Sequence, residues 1–265
     1  MSDCAPAPGA GFDPKFFAER LDAARRARVC LTPFAQSHGV TEAQAYAIQA
    51  CGMTRRLKRS ERLIGVKLGF TSEAMRRQMG IATANIGFLT NAMMITPAGG
   101  LDRSQLIDPR AEPEIVLRLG ADLHWPADLQ SAAAAVAACA PAIEIVDSRF
   151  QDYRFTLQDN IADNSSAAAF VLGEWRDWPC DLDDLNVRLT IDEAVVEEGN
   201  SSAALGHPLN ALLEAARLAA LQDRHLKAGE ILLTGGLTAA PQIHVGQRVG
   251  TQIAGLGEVG FDVRG

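Results

Sequence analysis

The sequence lacks the residue patterns of a disulfide-stabilised or thiolate-bound protein. Five cysteines form no close pair and no CxxC motif: Cys4, Cys30, Cys51, Cys139 and Cys180. An odd, scattered set of this kind predicts reduced thiols rather than a disulfide framework or a cysteine metal site. The five histidines also show no spacing typical of metal ligands.

Long apolar runs and an excess of positive charge are also missing. No apolar run reaches the length of about 20 residues that a helix needs to cross a bilayer. The first residues lack the basic start and apolar stretch of a signal peptide, and they predict a flexible tail over 1–11. With a net charge of −7, the surface is not expected to attract nucleic acid or anionic lipid. We therefore expect a cytoplasmic protein that binds neither nucleic acid nor membrane.

Several common catalytic motifs are absent. The chain has no GxSxG and no phosphate-binding loop. The segment 255–260 has the spacing GxGxxG, but it lies too near the C-terminus for the helix that a dinucleotide site requires. We predict a hairpin turn there.

What remains is a chain of 265 residues, 48% hydrophobic and 22% charged, as in ordinary globular proteins. Capping or turn residues predict the starts of three early helices: Asp13 with Pro14, Thr41 with Gln44, and Thr71 or Ser72 with an end at Gly80. Two later helices are expected at about 129–139 and 207–223, the latter beginning near His207. Runs of strand type are found at 93–97, 114–119, 142–146, 168–173, 187–191, 230–235, 247–253 and 258–263. The sequence predicts an α+β fold with a helical segment over 12–84 and a β-rich catalytic domain over 85–265.

Three glutamates in strand-like surroundings are candidate metal ligands. Glu112 and Glu114 alternate in one strand and therefore share a face. Glu144 lies inside an apolar strand, where a lone carboxylate is costly. Oxygen ligands of this kind suit Mg²⁺ or Mn²⁺. Solvent-facing residues or salt-bridge partners explain the same spacing equally well.

Lys67 lies in an apolar stretch between glycines, Ile64-Gly-Val-Lys-Leu-Gly. A lysine in such surroundings has a lowered pKa and takes part in proton transfer, or it supplies a fixed positive charge. A lysine whose stem is buried and whose ammonium reaches solvent is the plainer interpretation, and taken alone the more frequent one.

Two polar turns are candidate ligand contacts. The segment Ala162-Asp-Asn-Ser-Ser favours a turn that presents hydroxyls and amides. In Leu233-Thr-Gly-Gly, glycine lets a ligand approach the backbone, and Thr234 has a hydroxyl suited to a carboxylate. An ordinary turn explains each segment as well.

Six segments in consistent order resemble one family. They are IGVKLGFTSEAM, IGFLTNAM, RAEPEI, PAIEIVDSR, ADNSSAAAFVLG and ILLTGGLT. Over about residues 15–263 the chain resembles the hydratase and decarboxylase branch of the fumarylacetoacetate hydrolase superfamily. The resemblance implies a rolled, mixed β-sheet domain with an N-terminal helical segment.

The resemblance also implies site residues and a substrate class. It implies Mg²⁺ or Mn²⁺ on Glu112, Glu114 and Glu144, and a catalytic lysine at Lys67. Contacts to a small 2-oxo acid are expected from eight further residues: Leu68, Gly69, Asp163, Asn164, Ser165, Ser166, Thr234 and Gly235.

Two reactions are compatible with this resemblance. One is decarboxylation of 2-oxo-3-hexenedioate (4-oxalocrotonate), and the other is hydration of 2-hydroxypenta-2,4-dienoate, both in meta-cleavage breakdown of aromatic compounds. Hydratases of the family commonly carry an acidic residue where this chain has Asn85, which favours decarboxylation.

The resemblance further implies a complex with the paralogous hydratase and leaves a homo-oligomer open. An inactive subunit that serves a partner enzyme is a third interpretation, and the retained Lys67 and glutamates argue against it. Arg149 and Arg154, cations near the Glu144 segment, are candidates for holding a distal carboxylate.

Overall fold

The computed structural model describes residues 12–265, with every side chain there except those of Ala74, Met75 and Gln78. The predicted tail over 1–11 lies outside the described residues. The α-helices in the described part are α1 Pro14–Ala27, α2 Glu42–Lys58, α3 Glu73–Met79, α4 Leu129–Ala135, α5 Leu157–Ala162 and α6 Pro208–Ala220.

The helix starts follow from local capping chemistry. The Asp13 carboxylate accepts the N–H of Lys15 at the start of α1. Thr41 and Gln44 form the predicted capping box at α2. His207 caps α6 by accepting the N–H of Leu209 at its Nδ1, 3.0 Å away. Each of these side chains satisfies an N–H that has no partner within its helix, and the three predicted starts are confirmed.

Twelve strands are formed by the described residues. They are β1 Leu63–Gly69, β2 Asn85–Thr90, β3 Leu101–Asp102, β4 Arg110–Leu119, β5 Val136–Val146, β6 Ala167–Leu172, β7 Arg176–Asp177, β8 Asn186–Ile191, β9 Ala194–Asn200, β10 Ile231–Leu233, β11 Arg248–Ile253 and β12 Gly257–Arg264.

The strands form two mixed sheets. The larger has the order β2-β1-β10-β4-β5-β6, with β7 paired to β5, and the smaller has the order β3-β12-β11-β8-β9. In the larger sheet β1 is parallel to β10, while β10 with β4 and β4 with β5 are antiparallel. The predicted mixed-sheet α+β fold is confirmed.

Apolar side chains fill the space between the two sheets. Ile143 and Ile145 of β5 pack in one buried cluster with Val249 of β11 and Phe261 of β12. Glu144 lies between the two isoleucines in sequence, so its side chain is on the opposite face of β5. A separate cluster joins α1 and α2 to α5 through residues such as Phe17, Ile48 and Ile161.

Two predicted elements are wrong in extent or kind. The segment 93–97 is not a strand, since only Met94 forms an isolated bridge, with Phe170. The helix predicted over 129–139 ends at Ala135, and β5 begins at Val136. Alanine favours helix, but pairing of Ala138 with Arg118 of β4 gives these residues a place in the sheet. Tertiary pairing therefore overrides local propensity here.

The sheet also begins earlier in the chain than the predicted division at residue 84. β1 has a central place between β2 and β10, although it falls in the segment expected to be helical. Neither β1 nor β2 was predicted, because a continuous apolar run does not distinguish a buried strand from a buried helix. The division into two domains stays a prediction, but the site depends on strands from both sides of it. The hairpin predicted at 255–260 is confirmed between β11 and β12.

Two of the cysteines lie side by side in the fold. The sulfur atoms of Cys139 and Cys180 are neighbours, but their Cα atoms are 7.6 Å apart, which is wider than a disulfide spans. The expectation of reduced thiols therefore stays a prediction. Cys30 and Cys51 are free. None of the helices in residues 12–265 is long and apolar enough to cross a membrane.

Candidate active site

The three glutamates converge at the pairing of β4 with β5. Glu112 lies directly opposite Glu144 in this antiparallel register, and Glu114 follows two residues along the same face. One carboxylate oxygen from each residue lies within 4.8 Å of the others. The geometry thus brings together the residues predicted as metal ligands.

The environment of these carboxylates fits a bound cation. Glu114 and Glu144 are fully buried. Glu114 Oε2 accepts the N–H of Gly235 at 2.7 Å, but Glu114 Oε1 and Glu144 Oε1 have no hydrogen-bond partner among the described residues. Buried carboxylate oxygens without partners are costly unless a cation or a proton is present. An all-oxygen set of this kind fits Mg²⁺ or Mn²⁺.

The same environment perturbs the acidity of the glutamates. Burial, with the charge of Glu144, raises the pKa of Glu112 to about 7, against the opposing effect of Lys67. Burial and the charges of Glu144 and Glu112 raise the pKa of Glu114 well above its usual value. Without a cation the site therefore retains protons near neutral pH, and a metal ion has to displace them.

Lys67 reaches the glutamates from β1. Its Nζ lies 3.0 Å from Glu144 Oε2 and donates to the carbonyl of Ser165 at 3.1 Å. Burial alone would lower the pKa of this lysine, but the carboxylates of Glu144, Glu112 and Glu114 raise it. Of the two predicted roles, the structure favours a fixed positive charge over a lysine of lowered pKa. The lysine is 2% exposed, so the interpretation as a surface-reaching side chain is wrong.

A strained turn presents Ser165 to Lys67. Asn164, Ser165 and Ser166 all have positive φ, between 53° and 57°, a region that non-glycine residues rarely adopt. The Asn164 side chain secures this turn to β2, since it accepts the N–H of Phe88 at 2.8 Å and donates to its carbonyl at 3.0 Å. Ser165 and Ser166 line the cavity described below.

Two other predicted contacts serve the scaffold instead. Asp163 is buried and forms a salt bridge with Arg149, so neither residue is free to meet a substrate. Thr234 is fully buried, and its hydroxyl donates to the carbonyl of Ile115 at 2.9 Å. The predicted roles of Asp163, Thr234 and Arg149 in direct ligand binding are therefore not favoured, because their polar groups already have partners.

Gly235 is constrained by lack of space for a side chain, and Asn85 is constrained by two hydrogen bonds. Gly235 has φ +101°, and a Cβ there would collide with the side chain of Thr71. Asn85 is fully buried, accepts from Ser165 Oγ at 3.0 Å and donates to Asn160 Oδ1 at 2.7 Å. An amide satisfies both partners at once, because it has a donor and an acceptor.

A cavity of about 210 Å³ is lined by Glu112 and Lys67, and the carboxylates of Glu114 and Glu144 adjoin that of Glu112 without lining the cavity. The predicted Leu68 and Gly69 line it, together with the apolar residues Phe70, Val146 and Phe155. The buried hydroxyl oxygen of Thr71 also lines it and has no hydrogen-bond partner among the described residues. The lining of the cavity thus combines charged side chains with a largely apolar wall.

Arg110 is a further cavity residue that the sequence reasoning missed. Its guanidinium lies over the ring of Tyr153, 4.2 Å from the centroid, and its buried Nε has no hydrogen-bond partner in the described part of the chain. Tyr153 is held by hydrogen bonds from its hydroxyl to the carbonyls of Asp108 and Val146. Arg110 precedes Glu112 by two residues, so the alternation that paired the glutamates already placed it on the same face.

Comparison with known proteins gives the same family as the sequence. Residues 65–264 match the family model for the C-terminal domain of fumarylacetoacetate (FAA) hydrolase. The chain is 40% identical to a 4-oxalocrotonate decarboxylase of a Pseudomonas species, over 94% of this chain and 97% of that protein. It is 37% identical to 2-keto-4-pentenoate hydratase 2 of Dechloromonas aromatica, over 81% and 83%.

Among solved structures, one match is the 4-oxalocrotonate decarboxylase of Pseudomonas putida G7 in complex with magnesium and adipate. Its TM-score to this chain is 0.91 at 32% identity, covering 94% of this chain and 97% of that one. The same enzyme has also been solved with calcium and acetate, with a TM-score of 0.89.

Proposed function

The chain belongs to the fumarylacetoacetate hydrolase family, and on that premise we propose that it is a metal-dependent lyase that decarboxylates 4-oxalocrotonate. The observation that carries the proposal is that an all-carboxylate cation site reaches the cavity through Glu112, while the guanidinium of Arg110 lines the same cavity. The first suits the 2-oxo acid end of a substrate, and the second suits a distal carboxylate. The decarboxylases among the relatives, one of them solved with magnesium and a dicarboxylate, support the same substrate class.

The proposed metal ligands are Glu112, Glu114 and Glu144, with Mg²⁺ as the ion and Mn²⁺ as the alternative. When bound, the metal supplies Lewis-acid polarisation of the C2 oxo group. The ionic contact of Lys67 with Glu144 orients that carboxylate. The same ammonium adds positive charge near the oxygen on which negative charge develops.

The reaction needs one bond broken and one proton added. The C5–C6 bond breaks, and its electron pair moves through the C3–C4 double bond to the C2 oxygen. C6 departs as CO₂, and a proton added to the C2 oxygen gives 2-hydroxypenta-2,4-dienoate. The apolar wall formed by Phe70, Val146 and Phe155 suits the neutral CO₂ that leaves, because CO₂ needs little solvation.

We propose that Arg110 binds the C6 carboxylate. Alternate residues of a strand lie about 7 Å apart, and five carbon–carbon bonds of an extended chain span about 6 Å. A six-carbon dicarboxylate held near Glu112 at its 2-oxo end therefore reaches Arg110. The aromatic ring of Tyr153 fixes the plane of the guanidinium for a paired hydrogen bond.

Hydration of 2-hydroxypenta-2,4-dienoate is the second candidate, since the relatives include hydratases at 36–37% identity. Addition of water needs an acid or base beside the metal ligands. Among the cavity-lining residues of the described chain, Glu112 is the only carboxylate, and the buried Asn85 has no proton to exchange near neutral pH. These features favour decarboxylation.

Purified protein with Mg²⁺ and each substrate distinguishes the two reactions. We expect CO₂ release from 4-oxalocrotonate. Formation of 4-hydroxy-2-oxopentanoate from 2-hydroxypenta-2,4-dienoate, without CO₂ release from the dicarboxylate, would make the enzyme a hydratase instead.

Lys67→Met tests the catalytic assignment of the lysine. We expect kcat to fall by about 10²- to 10⁴-fold, because the charge facing the developing negative oxygen is lost. Lys227→Met, at an exposed lysine outside the cavity, is the matched control. Unchanged turnover in Lys67→Met would show that the assignment is wrong.

The wider context is proposed from the family resemblance. We propose that the reaction serves meta-cleavage breakdown of aromatic compounds in the cytoplasm. A complex with the paralogous hydratase would pass the unstable dienol directly to the next step, and size-exclusion chromatography of the two co-expressed proteins tests this association.

A further inference from the structure

A second group of metal-binding side chains lies outside the cavity, at a short bridge between two loops. Leu123 and Leu226 form an isolated antiparallel bridge, with N–H to carbonyl distances of 2.8 and 3.2 Å. Both leucines are buried in the core that includes α6. The bridge is therefore anchored, and the residues that flank each leucine point away from the core.

This geometry places His124 directly opposite His225. The two imidazole rings are stacked, with centroids 4.1 Å apart and an interplanar angle of 21°. Asp122, on the same outward face, has its Oδ2 3.3 Å from Nε2 of His225. One ligand atom from each of the three residues lies within 4.8 Å of the others. Residues 122–124 and residue 225 are far apart in the sequence, so the spacing of the histidines did not predict this set.

We propose that Asp122, His124 and His225 form a second metal site, selective for a transition-metal ion such as Zn²⁺. Two imidazoles and one carboxylate are ligands typical of zinc, with a fourth position left to water. Tetrahedral bonds of about 2.1 Å would place the ligand atoms about 3.4 Å apart. A small rotation of the exposed His124 side chain brings its ring nitrogen to that spacing, since Asp122 Oδ2 is already 3.3 Å from His225 Nε2.

The carboxylate of Asp122 is held in place by a hydrogen bond from the backbone. Asp122 Oδ1 accepts the N–H of Ala228 at 2.8 Å, which orients the group as a partner outside the coordination sphere does in metal sites.

The second site differs in chemistry from the three glutamates. Nitrogen donors bind Zn²⁺ far better than Mg²⁺, whereas the all-oxygen site suits Mg²⁺. Ligands from residues 122–124 and 225 would join the loop after β4 to the connection between α6 and β10. Zinc bound there would stabilise the entry to β10, which lies between β1 and β4 in the sheet of the catalytic cavity.

Calorimetric titration with Zn²⁺ in millimolar Mg²⁺ tests the proposal, because excess Mg²⁺ keeps the glutamate site filled. We expect wild-type protein to bind one Zn²⁺ per chain at micromolar concentration. His124→Ala and His225→Ala should each weaken the affinity by at least about tenfold, since loss even of an outer-sphere partner costs about 10- to 100-fold. Asp122→Asn should weaken it less, as an amide still donates one oxygen.

Two controls make the result specific. His244→Ala, at an exposed histidine elsewhere on the surface, should bind Zn²⁺ as wild type does. Zinc should also raise the melting temperature of wild type but not of His124→Ala. Equal Zn²⁺ affinity in wild type and His124→Ala, or displacement of the zinc by added Mg²⁺, would overturn the proposal.

Discussion

At the scale of single residues, the glutamates of the proposed metal site bind either protons or a metal ion. The unfolded chain releases the proton of Glu112 near the ordinary value of 4.5, whereas the folded protein holds it up to about pH 7. A raised pKa of this kind stabilises the folded state fully below pH 4.5, and the contribution is lost as pH rises through 7. A bound divalent ion takes the place of the protons, so the folded state no longer loses stability as the pH rises.

The metal-free protein should therefore melt at a lower temperature at pH 8 than at pH 6. Added Mg²⁺ should raise the melting temperature more at pH 8, where it replaces charge repulsion rather than protons. Scanning calorimetry with Mg²⁺ or with a chelator measures both differences. Glu112→Gln has no proton to release, so its metal-free form should show a weaker dependence on pH. An equal gain from Mg²⁺ at both pH values would contradict the assignment.

Arg110 is the residue whose charge is expected to select the substrate. Arg110→Gln should raise KM for 4-oxalocrotonate by about 10- to 100-fold, the loss expected for a charge-assisted hydrogen bond. The change in kcat should be much smaller, since C6 carries its charge in the ground state and loses it as CO₂ forms.

Arg154→Gln is the matched control for Arg110→Gln, because Arg154 is an exposed arginine that does not line the cavity. Steady-state kinetics and adipate binding measure the effect. An unchanged KM in Arg110→Gln, or an equal change in Arg154→Gln, would assign the distal carboxylate to another residue.

At the scale of elements, the turn 164–166 connects β2 to Lys67, the proposed catalytic lysine. Its three positive φ values are maintained by Asn164, whose amide bonds both backbone groups of Phe88. Through this turn the carbonyl of Ser165 receives the hydrogen bond from Lys67. The position of the lysine therefore depends on an asparagine that does not line the cavity.

Asn164→Ala should reduce the free energy of unfolding by about 1–3 kcal/mol, because two backbone groups lose their partner. It should also lower kcat by about 10- to 100-fold, since a displaced Ser165 no longer fixes Lys67. Asn210→Ala removes a hydrogen bond to the carbonyl of Leu205 outside the cavity, and it should affect stability alone. Urea denaturation and kinetics separate the two effects, and normal turnover in a destabilised Asn164→Ala would contradict the positioning role.

At the scale of the whole molecule, the two sheets share one apolar layer directly behind the glutamates. Ile143 and Ile145 of β5 contact the layer that contains Phe261 of β12, while the side chain of Glu144 between them lies on the opposite face of β5. The smaller sheet thus supports the strand that carries Glu144, a proposed metal ligand.

Phe261→Ala should reduce the free energy of unfolding by about 3–5 kcal/mol, because the ring is fully buried. Unfolding should remain a single transition by circular dichroism and fluorescence, as expected when both sheets depend on one layer. Val196→Ala, at a side chain 41% exposed, should change stability by less than about 0.5 kcal/mol. Two separate transitions in Phe261→Ala would show that the sheets fold independently.

The sequence by itself determined the fold class, the helix starts and which carboxylates are candidate metal ligands. Capping residues such as Asp13 and Thr41 act within four residues of the helix that they begin, and strand alternation put Glu112 and Glu114 on one face. Those signals are local, so they are readable without a structure.

Only the tertiary structure decided which polar groups are free. Asp163 and Thr234 were equally good candidates in sequence, and both have partners in the fold, Arg149 and the carbonyl of Ile115. Arg110 lines the cavity, and its buried Nε has no hydrogen-bond partner among residues 12–265, although another nitrogen of its guanidinium lies 4.0 Å from Asp108 Oδ2. The start of β5 at Val136 likewise depends on its pairing with β4. Hydrogen bonding and pairing between distant segments depend on what lies alongside each residue, and local sequence does not contain that information.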